Sequence, residues 1–134
     1  MDDVLRWLGE DSDLTNLLTG GIYDGRRVGE IGLSTTPGAY FQGVLLPCAL
    51  VTIQTETPFG PYLTSALRTV ICYCYQDEGY NVIMQAQQRI YKIVHGRNTD
   101  ERGWFYRHTG DVMQYDPVLH AYYIASRFAV IIMK

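Results

Sequence analysis

The fold of this chain is decided by residues 80–94, which read YNVIMQAQQRIYKIV. On a helix of 3.6 residues per turn the apolar side chains fall along one side, and the amide and basic side chains fall on the other. The apolar set is Ile83, Ala86, Ile90, Ile93 and Val94, and the polar set is Gln85, Gln88, Arg89 and Lys92. His95 and Gly96 predict the end of the helix. His95 places a cation in the last turn, and Gly96 tolerates the left-handed conformation that commonly follows a helix. One apolar stripe is unstable alone in water, so we expect a sheet beneath it.

Strand patterns precede and follow this helix. Residues 49–57 alternate apolar with polar side chains, and residues 66–76 are apolar on both faces, which is typical of a central strand. Asp77 and Glu78 then lie where the positive end of the helix dipole favours acids. Residues 120–133 form a long strand pattern whose even-numbered positions provide an apolar face suited to the helix.

A third strand pattern, in residues 104–115, is interrupted. Gly110 and Asp111 separate residues 104–109 from residues 112–115. Two arrangements remain open here, a hairpin or a single strand with a bulge. The polar residues 97–103 before it predict a surface loop.

Two short helical clusters open the sequence. They cover residues 4–8 and 14–18, and Ser12 or Asp13 is the expected N-cap of the second. Residues 22–26, Ile-Tyr-Asp-Gly-Arg, predict a short extended piece and a turn. Together the patterns predict one α+β domain over residues 1–134, with an antiparallel sheet of four to five strands, one major helix packed on it and short N-terminal helices.

A long loop or arm is expected at residues 27–47, which are rich in glycine and proline. Long loops inside a compact domain tend to be functional. The arm nevertheless carries Tyr40, Phe41, Val44, Leu45 and Leu46. Apolar side chains on an arm favour contact with a neighbouring subunit. The alternatives are that the segment folds over its own core or forms a hairpin through Pro37 and Gly38.

Composition limits the class of protein. The formal charge of −3 at pH 7 argues against nonspecific binding to nucleic acid. Neither a signal peptide nor an apolar run of membrane-spanning length is visible, so we expect no membrane association and a cytoplasmic start. The cysteines Cys48, Cys72 and Cys74 are expected to be free thiols that act as small apolar side chains, because no metal-ligand spacing accompanies them.

No catalytic constellation is recognisable. His95, His108 and His120 lie in three different elements, and the pair His108 and Asp111 is a weak signal for catalysis. Glycine-rich phosphate loops and nucleophile elbows are also missing. The tyrosine-rich strands could stack on single-stranded nucleic acid, but few basic residues lie between them, so core and subunit contacts explain them better. We therefore predict a non-enzymatic protein without catalytic, cofactor or metal residues, and without a cofactor.

The order of elements resembles a known family. Opening helices, the Ile22-Tyr23-Asp24-Gly25-Arg26 stretch, a long loop, two strands, one helix and a closing strand pair resemble the tail-completion or tail-terminator proteins of long-tailed bacteriophages, including the small terminator of lambdoid phages. The resemblance implies a structural virion protein of the phage neck. It implies a ring, usually a hexamer, that caps the head-proximal end of the tail tube, ends tube polymerisation and provides the head-tail joining surface.

The resemblance also implies partners and a location. The partners would be other copies of this chain, the tail tube protein, a head-completion or connector protein, and double-stranded DNA that passes through the lumen without specific binding. The protein would lie in the virion neck, after assembly in the host cytoplasm. The expected contacts with neighbours are Arg26, Arg27, Glu30, Tyr40 and Phe41, with a second, polar contact loop of Arg97, Asp100, Glu101 and Arg102.

Two rival functions remain open. A head-closure or adaptor protein on the portal side would share ring assembly and the lack of catalysis. A small cytoplasmic ligand-binding or enzymatic α+β domain would need a pocket with convergent polar groups, and the sequence shows no candidate cluster.

Overall fold

The helix predicted around residues 80–94 is the longest helix that the structure describes, and it lies on a sheet. The structure is a computed structural model and describes residues 2–25, 40–41, 44–56, 67–99, 104–117 and 120–132. The helices are α1 (Asp2–Glu10), α2 (Ser12–Leu17) and α3 (Asn81–Val94). The strands are β1 (Gly21–Asp24), β2 (Tyr40–Phe41), β3 (Val44–Leu45), β4 (Cys48–Glu56), β5 (Leu67–Gln76), β6 (Asn98–Thr99), β7 (Trp104–Asp116) and β8 (Ala121–Ile132).

The main sheet has the strand order β1-β4-β5-β8-β7-β6. Its four long strands are antiparallel neighbours, and the class α+β is confirmed. The prediction of a purely antiparallel sheet was wrong at one edge, because the short strand β1 pairs parallel with β4. A strand of four residues carries too little pattern to reveal its direction. The sheet is therefore mixed.

The interrupted pattern in residues 104–115 is one bulged strand. The register of β7 against β8 shifts between His108 and Gly110, which leaves Thr109 as the extra residue. The Thr109 hydroxyl donates a hydrogen bond of 3.2 Å to the carbonyl of Arg127 on β8. Because of the bulge, residues three apart along β7 can lie on the same face of the sheet.

The helices cover one face of the sheet and form the larger core with it. On α3, the residues Ile83, Ala86, Ile90 and Val94 are fully buried, as the apolar stripe predicts. They pack with side chains of the central strands, among them Val70, Cys72, Cys74, Ile124 and Phe128. The two-sided burial of β5 and the inward even positions of β8 are confirmed.

The opposite face carries a smaller core. Leu45 of the short β2–β3 ladder packs there with Cys48, Leu50, Tyr75 and Ala121. Partly buried Tyr23, Tyr73 and Tyr123 surround it. The end of the predicted arm therefore folds onto its own sheet, as one of the alternatives held, while the expected turn at Pro37 and Gly38 lies outside the described residues.

The start of α3 is held by a buried side chain of β5 and has no acid in its first turn. The Gln76 Oε1 atom accepts hydrogen bonds from the backbone N–H groups of Val82 (3.0 Å) and Ile83 (3.2 Å). Its Nε2 atom donates to the carbonyl of Glu78 (2.7 Å) and to Oδ1 of Asn81 (2.6 Å). Gln76 thus satisfies amides that every helix leaves unpaired at its start.

Asp11 connects the N-terminal helices to α3. Asp11, not Ser12 or Asp13, is the N-cap of α2, and its Oδ2 accepts from the backbone N–H of Leu14 at 3.2 Å. Its carboxylate also binds Arg89 of α3. The predicted position of the cap was wrong by one or two residues, because three successive residues, Asp11, Ser12 and Asp13, are all of types that cap helices well.

Gly25, in the Tyr-Asp-Gly-Arg stretch, is needed for a close approach to β4. Its backbone N–H donates to the carbonyl of Val51 at 2.7 Å. A Cβ atom placed on Gly25 would lie 2.3 Å from Cγ2 of Thr52 and 2.9 Å from the Val51 carbonyl oxygen. The glycine therefore sets the end of the parallel β1–β4 pair.

Candidate assembly surface

The outer side of β7 changes character along its length. Its first part is covered: β6 pairs with Trp104 and Phe105, and Tyr106 exchanges backbone hydrogen bonds with Gly96 (2.8 Å) and Arg97 (3.1 Å). The backbone N–H of His108 then donates to Nδ1 of His95 at 3.0 Å. From Gly110 to Tyr115, the described part of the chain supplies no backbone partner other than β8.

Three of the six residues on this open stretch, Val112, Met113 and Tyr115, have large apolar side chains. Met113 and Tyr115 pair with Ile124 and Tyr122, so they lie on the helical face of the sheet. Val112 pairs with Ala125 and lies on the opposite face. Open sheet edges are usually protected by lysine, proline or burial, because a bare edge pairs readily with another chain. Residues 110–115 contain neither lysine nor proline.

The helix α3 extends this apolar surface. Met84, Gln87 and Tyr91 lie on one stripe of α3 and face β7. Gln87 Nε2 donates to Asp111 Oδ2 at 3.0 Å, and the ring of Tyr91 meets the ring of His108 edge to face at 5.1 Å between centroids. Met84 and Tyr91 themselves remain partly exposed.

The five large apolar side chains that are exposed in the described part of the chain lie along this edge of the sheet, four on the side of α3 and Val112 on the opposite face. They are Met84, Tyr91, Val112, Met113 and Tyr115, and each is between 37% and 49% exposed. We call them, together with Asp111, the β7 edge surface. Clustered exposure of this kind marks an interaction site, whereas single exposed apolar residues do not.

A polar pair lies in the middle of the surface. Nε2 of His108 and Oδ1 of Asp111 are 2.8 Å apart, and the two residues share a face because of the bulge between them. The His108 ring also contacts Phe128, while Tyr91 stacks on His95 at 4.7 Å. His108 and Asp111 also receive the contacts from Tyr91 and Gln87, so this pair connects β7 to α3.

One end of the surface opens into a shallow cleft. It has a volume of about 380 Å³ and is lined by Asp77, Glu78, Tyr115, His120 and Tyr122. Tyr122 contacts both Tyr115 (4.9 Å between ring centroids) and Tyr80 (5.1 Å). With two acids at its rim, the cleft gives this end of the surface a negative charge.

The residues predicted to contact neighbours are placed only in part. Arg26, Arg27, Glu30, Asp100, Glu101 and Arg102 lie outside the described residues, and Tyr40 and Phe41 form β2 without described side chains. Arg97 is exposed, and its guanidinium lies 4.2 Å from the centre of the Trp7 ring. Trp7 in turn meets Tyr106 at 5.4 Å. Arg97 therefore contributes a cation–π contact between α1 and the start of β6.

The described residues offer little for catalysis or metal binding. All three cysteines are free and buried, and burial raises the pKa of Cys48 and Cys72 to about 12. Thiols held neutral in this way are neither nucleophiles nor metal ligands at ordinary pH. No group of three metal-ligating side chains is found within the described ranges. In the same ranges, every helix is too short or too polar to cross a membrane.

Sequence reasoning missed the β7 edge surface, although one signal for it was present. The run Val112-Met113-Gln114-Tyr115 has no charge and begins two residues after Gly110. Which strand lies near the edge, however, depends on β8 being inserted between β5 and β7. A single sequence does not reveal that order.

Comparison with known proteins adds a likeness of fold. A chain of the virion of a native gene transfer agent particle is similar to this protein with a TM-score of 0.68, over 95% of this chain and 89% of that chain, at 12% identity. The SPP1 Dit protein of the hub adsorption apparatus in phages that infect Gram-positive bacteria overlaps with a TM-score of 0.31, over 59% of this chain and 38% of that chain, at 9% identity, and nothing is concluded from that overlap. No protein-family model and no curated protein matches the sequence.

Proposed function

We propose that this protein is a structural component of a phage or phage-like virion, with no enzymatic activity. The observation that carries the proposal is the β7 edge surface: exposed apolar side chains along a strand that, among the described residues, pairs only with β8 from Gly110 to Tyr115, as expected for a subunit that is covered by a neighbour in an assembly. The likeness of the whole fold to a chain of a gene transfer agent virion supports the same class.

Within that class, we propose a tail terminator of the neck. Copies of the chain would form a ring, with a hexamer as the expected size, on the head-proximal end of the tail tube. The ring would end tube polymerisation and present a surface to a head-completion or connector protein. One apolar edge on one side of each subunit suits a head-to-tail contact, which closes into a ring when the rotation between subunits is right.

DNA would pass through the lumen of this ring without specific binding. A channel must let the duplex slide, and strong phosphate contacts would oppose sliding. The formal charge of −3 is compatible with such a passage. The protein would thus reside in the virion neck, after assembly in the host cytoplasm.

The test is solution mass by light scattering over a concentration series, followed by addition of purified tail tubes. We expect a ring, or a monomer that forms a ring at the tube end and stops further elongation. Binding to portal complexes and not to tubes would favour the alternative, a head-closure or adaptor protein. A monomer that ignores both would overturn the proposal and favour a small ligand-binding or enzymatic domain.

A further inference from the structure

We propose that His95 is a pH-dependent cover of the outer edge of β7. Its neutral imidazole accepts a hydrogen bond from the backbone N–H of His108, and its protonated imidazole releases that N–H. The cover acts within one subunit, so it goes beyond the proposed function and does not depend on assembly at a tail.

His95 lies where the covered part of β7 ends. Tyr106 and His108 are two residues apart and direct their backbone N–H groups to the same, outer side of the strand. The N–H of Tyr106 donates to the carbonyl of Arg97 at 3.1 Å, and the N–H of His108 donates to Nδ1 of His95 at 3.0 Å. The imidazole therefore takes the place of the carbonyl that a neighbouring strand would supply. The open stretch Gly110–Tyr115 begins just beyond it.

This hydrogen bond requires an uncharged ring. In a neutral imidazole one nitrogen donates and the other accepts, so His95 carries its proton on Nε2. A protonated imidazole has two donors and no acceptor, so its Nδ1–H would point at the N–H of His108. Histidine is the side chain whose charge commonly changes between pH 5 and 8. Mild acid should therefore remove the cover from the backbone of β7.

The second histidine of the surface responds to acid in the opposite way. Nε2 of His108 lies 2.8 Å from Oδ1 of Asp111, whose Oδ2 accepts from Gln87 of α3 at 3.0 Å. An ionised carboxylate only accepts, so His108 donates from Nε2 and gains its second proton at Nδ1. The contact then becomes an ion pair with a stronger hydrogen bond. Acid thus keeps Asp111 in place while it releases the N–H at the other end of the surface.

The surroundings of His95 allow the ring to change charge and stay near the helix. The titratable and charged groups near it, from α3, the residues after α3 and β7, are Tyr91, Lys92, Arg97, His108 and Asp111. The carbonyls at the end of α3 and the carboxylate of Asp111 favour a cation, whereas Lys92 and Arg97 disfavour it. Tyr91 stacks on the face of the imidazole at 4.7 Å and 12° between planes, so this contact does not use the ring nitrogens.

The test follows the backbone amide of residue 108 by ¹H–¹⁵N NMR between pH 8 and pH 5. We expect its proton signal to move upfield in one step, the direction of a lost hydrogen bond. Its protection against exchange, relative to an unstructured chain at the same pH, should fall about fivefold, as the loss of one hydrogen bond predicts. The amide of Tyr106 donates to a backbone carbonyl and should keep its signal and its protection.

Two matched variants separate the two histidines. His95→Gln keeps an accepting oxygen but does not titrate, so the step at residue 108 should vanish. His108→Gln removes the other titrating ring and keeps the backbone N–H, so the step should remain. A step that persists in His95→Gln, or a wild-type amide that shows no step, would overturn the proposal. The readout is a single amide, so its result is independent of whether the protein caps a tail tube.

Discussion

Arg89 of α3 donates two hydrogen bonds to the carboxylate of Asp11, from Nε to Oδ2 at 2.6 Å and from Nη2 to Oδ1 at 2.8 Å. Two parallel bonds between a guanidinium and a carboxylate give strength and a fixed orientation. The pair joins the cap of α2 to the middle of α3, and so sets how the N-terminal helices lie on the sheet.

The first prediction concerns Asp11. Asp11→Ala removes both the cap and the ion pair and should lower the free energy of unfolding by about 1–2 kcal/mol. Asp11→Asn keeps a capping oxygen and should cost less. Urea denaturation of both variants at pH 7 measures the difference, and equal losses would mean that the charge contributes nothing.

The same residue predicts a pH dependence. The hydrogen bond from Arg89 holds the pKa of Asp11 below its ordinary value of 3.8, although partial burial opposes the shift. Because the folded pKa is lowered, the stability that ionised Asp11 contributes is complete above about pH 5. It is lost as the pH falls through the folded pKa of Asp11. The stability gap between the wild type and Asp11→Asn should therefore narrow from pH 5 to pH 3.

A second prediction concerns Gln76. Gln76→Leu leaves the N–H groups of Val82 and Ile83 without their acceptor inside the protein, which should lower the free energy of unfolding by about 2 kcal/mol. Gln85→Leu is the control, since the hydrogen bond that Gln85 donates to the Asn81 carbonyl is exposed. Thermal unfolding followed by circular dichroism compares them, and similar losses would argue against the buried cap.

A third prediction concerns Ser126 of β8. Its hydroxyl is fully buried and has no hydrogen-bond partner among the described residues. Ser126→Ala removes this unsatisfied group and should raise the free energy of unfolding by about 1 kcal/mol. Ser12→Ala, at an exposed position in α2, should change it by less than about 0.5 kcal/mol. A loss of stability in Ser126→Ala would show that the hydroxyl is satisfied.

A fourth prediction concerns the cysteines. Burial raises the pKa of Cys48 and Cys72 to about 12, against an ordinary value of 9.0. A thiol reagent at pH 8 should label the native protein negligibly and label all three cysteines in denaturant. Since the folded pKa values are raised, the buried neutral thiols favour the folded state. Their contribution to stability is complete below pH 9.0 and is lost as the pH rises toward 12. Fast labelling of the native protein would contradict the burial.

The parts of the fold that were predictable are those with a long repeating pattern. The helix at 80–94, the two-sided strand β5 and the inward face of β8 each repeat one signal over many residues, and all three are confirmed. The parallel direction of β1 and the cap at Asp11 depend on single contacts with distant residues, which a local pattern does not contain.

The candidate site was the less predictable part. The proposed contacts at Arg26, Arg27 and Glu30 remain predictions, because they lie outside the described residues. The β7 edge surface depends on the order of the strands and on one irregularity in β7. Both are properties of the assembled sheet, so no window of sequence could display them.

The extra residue Thr109 has a consequence for variation in this protein. Residues that pair across antiparallel strands share a face, so Met113 and Tyr115 keep the face of Ile124 and Tyr122 as long as these pairs are kept. Deleting one residue at the bulge would be absorbed by the loss of the bulge and would leave these pairs in place. A single codon lost at Thr109 would thus spare the surface, whereas one lost between Met113 and Tyr115 would shift the register by one residue and turn Tyr115 to the other face.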